Sequence, residues 1–148
     1  MHSESEIRPL REEDIPAVLA LSKKRIRHGF LDGKGLRDYL DSPLLKGLVL
    51  TGESVQGYLL YRVGVEEGEI DEIAIEETIE GTGSGARLLA SCLALLAEEG
   101  KTCCLLEVRE KNERARRLYE KTGFCPYRRR KAYYGEEDAI CYRKELLK

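Results

Sequence analysis

Glycines at positions 81, 83 and 85, in the run Glu80-Gly81-Thr82-Gly83-Ser84-Gly85, constrain this chain more than any other stretch. They stand between an apolar, strand-like run over 70–75 and a helical pattern that continues through Ala86, Leu88, Leu89, Cys92 and Leu93. A strand-to-helix junction this rich in glycine turns tightly and lets backbone lie close to a ligand, because no Cβ intervenes. The helix that follows begins with N–H groups that have no partner inside it, and these suit a phosphate or pyrophosphate. A plain turn accounts for the same glycines, so the loop alone leaves both readings open.

At 148 residues the chain predicts one domain over 1–148 with its own core. A charged fraction of 35% beside 42% hydrophobic residues predicts a compact folded protein rather than a disordered one. The net charge of -2 argues against a general nucleic-acid binder. The basic run Arg128-Arg129-Arg130-Lys131 alternates between faces if it is a strand, and so makes no single patch. No apolar run reaches the length of a membrane span, and the first six residues lack the basic-then-apolar pattern of a secretory signal. The five cysteines, Cys92, Cys103, Cys104, Cys125 and Cys141, include no C-x-x-C pair, and the two histidines, His2 and His28, offer no metal-ligand spacing. Buried free thiols in a reducing cytoplasm, with no metal, are the expectation.

The pattern along the chain predicts a first strand over 6–10, then a helix opened by Glu12, Glu13 and Asp14. Its apolar face is Ile15, Val18, Leu19 and Ser22 at helical spacing, and Pro16 fits the first turn. The basic segment 23–40 is broken by Gly29, Gly33 and Gly35 and holds a short second helix over 36–40. Residues 48–50 and 55–63 form a hairpin, and a second turn leads to the strand over 70–75. The helix over 84–99 places Ala86, Leu89, Leu93, Leu96 and Ala97 on its apolar face and ends at Gly100. The nearly all-apolar run 103–108 predicts a central strand covered on both sides, with Cys103 and Cys104 on opposite faces. Asn112 caps a helix over 113–121 closed by Gly123, and strands over 127–133 and 139–146 pair as a hairpin. The order β-α-α-β-β-β-α-β-α-β-β is of the α/β class.

Several polar residues stand where chemistry could use them. Glu107 ends an apolar strand, so it is either paired with a cation, Arg109 or Arg116 being nearest in sequence, or poised for proton transfer. Asn112 can be a cap alone. Tyr119, one turn past Arg116, is a half-buried core tyrosine or a proton donor to a leaving group. Tyr133-Tyr134 beside Glu136-Glu137-Asp138 could hold a cationic amine or could be a hairpin turn.

The element order, the glycine loop and the run Leu106-Glu107-Val108-Arg109…Asn112…Ala115…Leu118-Tyr119-Glu120-Lys121…Gly123-Phe124 together resemble the GNAT acetyltransferases. Arg130-Lys131-Ala132-Tyr133-Tyr134, followed by Glu137-Asp138-Ala139, narrows the resemblance to the bacterial ribosomal-protein alanine N-acetyltransferases, which usually have asparagine before the two tyrosines. The likeness is strong from about residue 70 onward and weak before it. It implies a mixed, mostly antiparallel sheet with splayed parallel central strands and flanking helices. It also implies acetyl-CoA as cofactor and transfer of its acetyl group to a primary amine, a protein N-terminal α-amine such as that of a ribosomal protein. Backbone atoms of Ile73, Ala74 and Ile75 would hold the pantetheine arm, and Gly81, Thr82, Gly83, Ser84, Gly85 and Ala86 would wrap the pyrophosphate. Asn112 would contact the cofactor, Glu107 would be the general base and Tyr119 the general acid, with no covalent acetyl-enzyme. Glu72, Tyr133 and Tyr134 are candidates for the acceptor side, and Cys103 and Cys104 are bystanders.

Three departures bear on that implication. Glu80 stands where the family loop has glutamine, and Thr82 where it has arginine or lysine. The loop therefore carries negative charge and lacks a cation near the expected pyrophosphate unless Arg87 or another cation compensates, while the Thr82 hydroxyl and N–H remain possible donors. Glu72 stands where close relatives often have asparagine, and segment 25–40 lacks the family's proline-tryptophan-serine pattern. The acidic residues Glu66, Glu67, Glu69, Asp71 and Glu72 suit a cationic acceptor or form a solvated edge. A small amine, such as a polyamine or amino acid, is the alternative acceptor, and a non-catalytic acyl-CoA sensor the alternative function. A monomer or homodimer without nucleic acid or membrane is expected, in the cytoplasm.

Overall fold

The structure, a computed structural model, describes residues 5–26 and 31–146. Strand β1 (Glu6–Pro9) is followed by a single 3-10 turn (Glu12–Asp14) and helix α1 (Ile15–Arg25). Helix α2 (Gly33–Asp41) leads to strands β2 (Leu45–Thr51), β3 (Val55–Val63) and β4 (Glu67–Ile75). A second 3-10 turn (Glu77–Ile79) and the glycine loop precede helix α3 (Ser84–Glu98), then β5 (Cys103–Arg109), α4 (Glu113–Thr122), β6 (Cys125–Tyr134) and β7 (Glu137–Glu145). The element order is the one the sequence predicts. Helix α2 starts earlier than expected because Asp32 caps it, accepting the Gly35 N–H at 2.8 Å. His2, His28 and Gly29 lie outside the described residues.

The seven strands form one sheet in the order β1-β2-β3-β4-β5-β7-β6, antiparallel throughout except between β4 and β5. Helices α3 and α4 cover one face, where Leu88, Leu89, Leu96, Leu106 and Tyr142 are buried in the main cluster. Helices α1 and α2 cover the other face of β2, β3 and β4, enclosing Val18, Leu36, Tyr58 and Leu60. The buried stripe of α3 is Leu88, Leu89, Cys92, Leu93 and Leu96, whereas Ala86 is exposed. The buried stripe thus lacks the Ala86 that periodicity puts on it, while Leu96 packs close over Gly68, where a Cβ would come within 2.5 Å. Strand β5 is interior, but only its Cys104, Leu106 and Val108 face joins the α3/α4 core. The other face keeps Leu105, Glu107 and Arg109 half-buried, since α1 and α2 reach no further than β4.

One local irregularity shapes β4. The register against β3 shifts after Leu60↔Glu72 to Tyr61↔Ile70, leaving Asp71 as an extra residue, a bulge. Asp71 and Glu72 therefore both turn toward the α1/α2 face: Tyr39 donates to Asp71 at 2.5 Å, and Ser22 to Glu72 at 3.0 Å. Ser22, placed on the α1 apolar stripe by its spacing, is buried there because it has this partner.

The start of α1 is tied to β1 by Asp14, whose side chain is only 4% exposed. It accepts two Arg8 guanidinium N–H bonds at 2.7 and 2.8 Å and the Arg11 N–H at 2.8 Å. The Arg8 bond, offset in part by burial, holds the Asp14 carboxyl below its ordinary range. A folded pKa depressed in this way adds stability that is complete above the unfolded value of about 4 and is lost as pH falls through the folded value. Asp14→Asn should therefore cost about 3 kcal/mol at pH 7. Denaturant melts should show that difference shrinking below about pH 4; an undiminished difference at pH 3 would contradict the assignment.

Candidate active site

The parallel pairing of β4 with β5 runs only from Glu67↔Cys103 to Ile70↔Leu106. Beyond it the strands part, while β4 stays paired with β3 as far as Ile75 and β5 with β7 as far as Arg109. The result is an opening with one unpaired strand edge on each side. Glu76 donates its N–H to Gln56 of β3 at 2.8 Å, and alternation along the strand turns the backbone of Ala74 the same way. Ile73 and Ile75 then direct their N–H and C=O groups into the opening. Of the three residues expected there, Ala74 lends its backbone to the β3 ladder instead.

The glycine loop closes one end of this opening. Gly81 and Gly83 have φ of 81° and 87°, a left-handed conformation that glycine takes without strain, and a Cβ on either would meet nothing within 4 Å. The first bond inside α3 runs from Arg87 N to Gly83 O, so the N–H groups of Ser84, Gly85 and Ala86 have no acceptor within the helix. Thr82 does not add to these donors. Its N–H and its hydroxyl both close on Ile79 O, at 3.3 and 2.6 Å. Arg87, the nearest cation in sequence, donates to the Ser5 hydroxyl and carbonyl. Glu80 instead ion-pairs with Arg25 from α1 and Arg114 from α4.

Glu107 is the first β5 residue past the last β4 pair, and its side chain lies on the face opposite Leu106. Its partner is neither Arg109 nor Arg116. Arg130 of β6 approaches it to 2.8 Å, and the Cys141 thiol donates at 3.4 Å. Arg109 pairs with Glu137 at 3.3 Å, and Arg116 binds Tyr142 and Glu110 O. The basic run divides between faces as alternation requires, Arg129 pairing with Glu110 and Asp138.

Tyr119 belongs to the α3/α4 core, edge-on to Phe124 with ring centroids 6.0 Å apart. Burial pushes its phenol well above the ordinary range, so it keeps its proton at neutral pH. Asn112 caps α4 by accepting the Ala115 N–H at 3.2 Å. Glu72 lies on the Glu107 face of the sheet, bound to Ser22 and Tyr58. Tyr134 stacks under the Arg109 guanidinium at 3.9 Å and meets Tyr133 edge-on at 5.1 Å, while Arg130 sits 5.1 Å over Tyr133. Glu107, Arg109 and the two tyrosines thus form one neighbourhood at the end of β6. Sequence reasoning missed Arg25, Arg114, Arg130 and Cys141, all of which reach the site from distant segments.

The pattern of the acetyltransferase (GNAT) family matches residues 13–124. The chain belongs to this family. A putative ribosomal protein bS18-alanine N-acetyltransferase of Bacillus subtilis is 29% identical over 143 residues, covering 95% of each chain. A ribosomal protein bS18-alanine N-acetyltransferase of Haemophilus influenzae is 36% identical over 102 residues, which is 64% of this chain and 69% of that one. The fold is that of the ribosomal-protein-S18-alanine N-acetyltransferase from Escherichia coli, with a TM-score of 0.88 at 24% identity over 98% of this chain and 96% of that one. The fold-class expectation of splayed parallel strands within a mostly antiparallel sheet matches this GNAT architecture. As a GNAT-type enzyme the chain is an acetyl-CoA-dependent N-acetyltransferase. The free N–H groups on α3, the glycines open to space and the inward-facing backbone of Ile73 and Ile75 fit that cofactor's phosphates and amide-bearing arm. No helix among the described residues is long and apolar enough to cross a membrane.

Ala132 explains one departure from the family pattern. The β6–β7 register slips between Arg130 and Tyr134, and Ala132 takes φ of 52° there, donating its N–H to Asp138 at 2.8 Å. Asparagine tolerates this left-handed conformation better than alanine does. Ala132→Asn should raise stability by about 0.5–1 kcal/mol and the melting temperature by about 2–4 °C; a lower melting temperature would contradict the strain.

Proposed function

We propose that this GNAT enzyme acetylates the N-terminal α-amine of a protein, the bS18-type ribosomal protein being the acceptor suggested by its relatives. The observation that supports the reading is Glu107, the first β5 residue past the last β4 pair, half-buried on the face that α1 and α2 leave uncovered. An acceptor amine can then enter on the Glu107 face while the cofactor lies against α3 and α4.

Bound acetyl-CoA supplies an activated acetyl thioester. A free α-amine has a pKa near 8 and is mostly protonated at neutral pH, so it must lose a proton before it attacks. Glu107 takes that proton, directly or through one water. Arg130 and Cys141 hold its carboxylate in place. The N–H groups of Ile73 and Ile75, aimed into the opening, stabilise negative charge on the acetyl oxygen as the amine attacks. Tyr119 holds a proton for the departing sulfur. Ser84, Gly85 and Ala86 bind the pyrophosphate through their N–H groups, with Gly81, Thr82 and Gly83 shaping the turn. Asn112 orders the start of α4 beside that loop. Glu72, Tyr133 and Tyr134 line the acceptor side, where Glu72 suits a positive charge and the tyrosines a peptide end. The five cysteines are free and four are buried, which supports a reducing cytoplasm as the working compartment.

Glu107→Gln should lower kcat by about 10²–10⁴-fold while leaving CoA affinity unchanged. Tyr119→Phe should likewise reduce transfer more than CoA binding. Mass spectrometry of an assay offering alanine-starting ribosomal peptides, lysine peptides, polyamines and amino acids locates the acetyl group. Acetylation of the α-amine alone is expected. Modification confined to a small amine would reject the protein acceptor, and CoA binding with no transfer to any of them would favour a sensor.

A further inference from the structure

The glycine loop looks poor in positive charge when read along the chain, yet two guanidinium groups from other elements bracket it. Glu80 immediately precedes Gly81, and its side chain is 20% exposed. Arg25, the last residue of α1, pairs with one of its oxygens, and Arg114, in the first turn of α4, pairs with the other. Arg25 also lies 3.7 Å from Glu77, which at 79% exposure is well hydrated. Helix α4 is pressed against the same loop, since a Cβ on Gly85 would lie 3.1 Å from Leu118.

Arg25 and Arg114, set against Glu80 and the solvated Glu77, bring two guanidinium groups beside the α3 N-terminus. Each guanidinium carries five N–H donors in a planar fork, and Glu80 leaves most of them unused. The Thr82 hydroxyl and N–H close the turn, and Arg87 directs two of its donors to Ser5. We propose that Arg25 and Arg114, anchored by Glu80, are phosphate-binding residues for coenzyme A and replace the basic side chain that position 82 lacks. Glu80 then acts as the positioning residue that aims both arginines at the loop, and its charge ceases to oppose an anionic ligand. This inference rests on the loop being the cofactor's phosphate site.

Calorimetric titration of coenzyme A tests it. Arg114→Ala and Arg25→Ala should each weaken binding by about tenfold, as expected for loss of a charge-assisted bond. Thr82→Arg in the Arg114→Ala background should restore most of that loss. Repeating the titrations with 3′-dephospho-CoA identifies the contact. A loss that persists assigns the arginines to the pyrophosphate, and one that disappears assigns them to the 3′-phosphate; either result supports the proposal. The Glu80→Gln background separates contact from simple neutralisation. Arg114→Ala should still weaken binding there, though by less than in the wild type because Glu80 no longer aims the guanidinium, and a loss that vanishes altogether in that background would overturn the proposal. So would an Arg25→Ala/Arg114→Ala double variant that melts like the wild type and binds CoA within twofold of it. If the wild type itself bound no coenzyme A, the reading of the loop would fail first.

Discussion

The parting of β4 from β5 after Ile70 and Leu106 is the constraint on which the rest of the site depends. A parallel pair inside a sheet normally satisfies its backbone along its whole length. Here each strand keeps its outer ladder and gives up the shared one, so polar backbone lies open in the middle of an otherwise closed sheet. The bulge at Asp71 sits where the parting begins and re-aims β4 at that step. Strands β3 and β7 flank the opening and pair with its two sides.

The unequal covering of the two faces follows from where the helices can pack. Helices α3 and α4 lie over the face that carries Leu106 and Tyr119, so the phenol is desolvated and retains its proton. Helices α1 and α2 stop at β4, and the face carrying Glu107 stays half-open to an incoming amine. The two sides of the sheet therefore give Tyr119 a dry environment and Glu107 an accessible one, the separation that the proposed acid and base roles require.

Much of this was legible in the residues. Periodicity and turn residues place all eleven elements in order, although β6 is almost wholly exposed and carries no apolar stripe, and the Asn112 and Gly123 caps mark α4 by local chemistry alone. The glycine loop and Glu107 stand out because they break those patterns. What the sequence hides is contact between distant segments. Arg130 of β6 reaches Glu107 of β5 across β7, which lies between them in the sheet. Arg25 and Arg114 meet at Glu80 across three elements, and the nearer Arg109, Arg116 and Arg87 turn out to be engaged elsewhere. Bulges are equally invisible in a pattern of apolar residues, so the shared orientation of Asp71 and Glu72 and the left-handed Ala132 emerge only from the folded backbone.

The central claim is that the opening between β4 and β5, together with the start of α3, is where acetyl-CoA is held. Residue-resolved amide hydrogen exchange with and without coenzyme A tests it most directly. Slowed exchange at Ile73 and Ile75 and at Ser84, Gly85 and Ala86, with little change in the groove lined by Tyr39, Lys46 and Glu99, is the predicted result. Unchanged exchange at those five amides, with protection appearing in that groove instead, would contradict it.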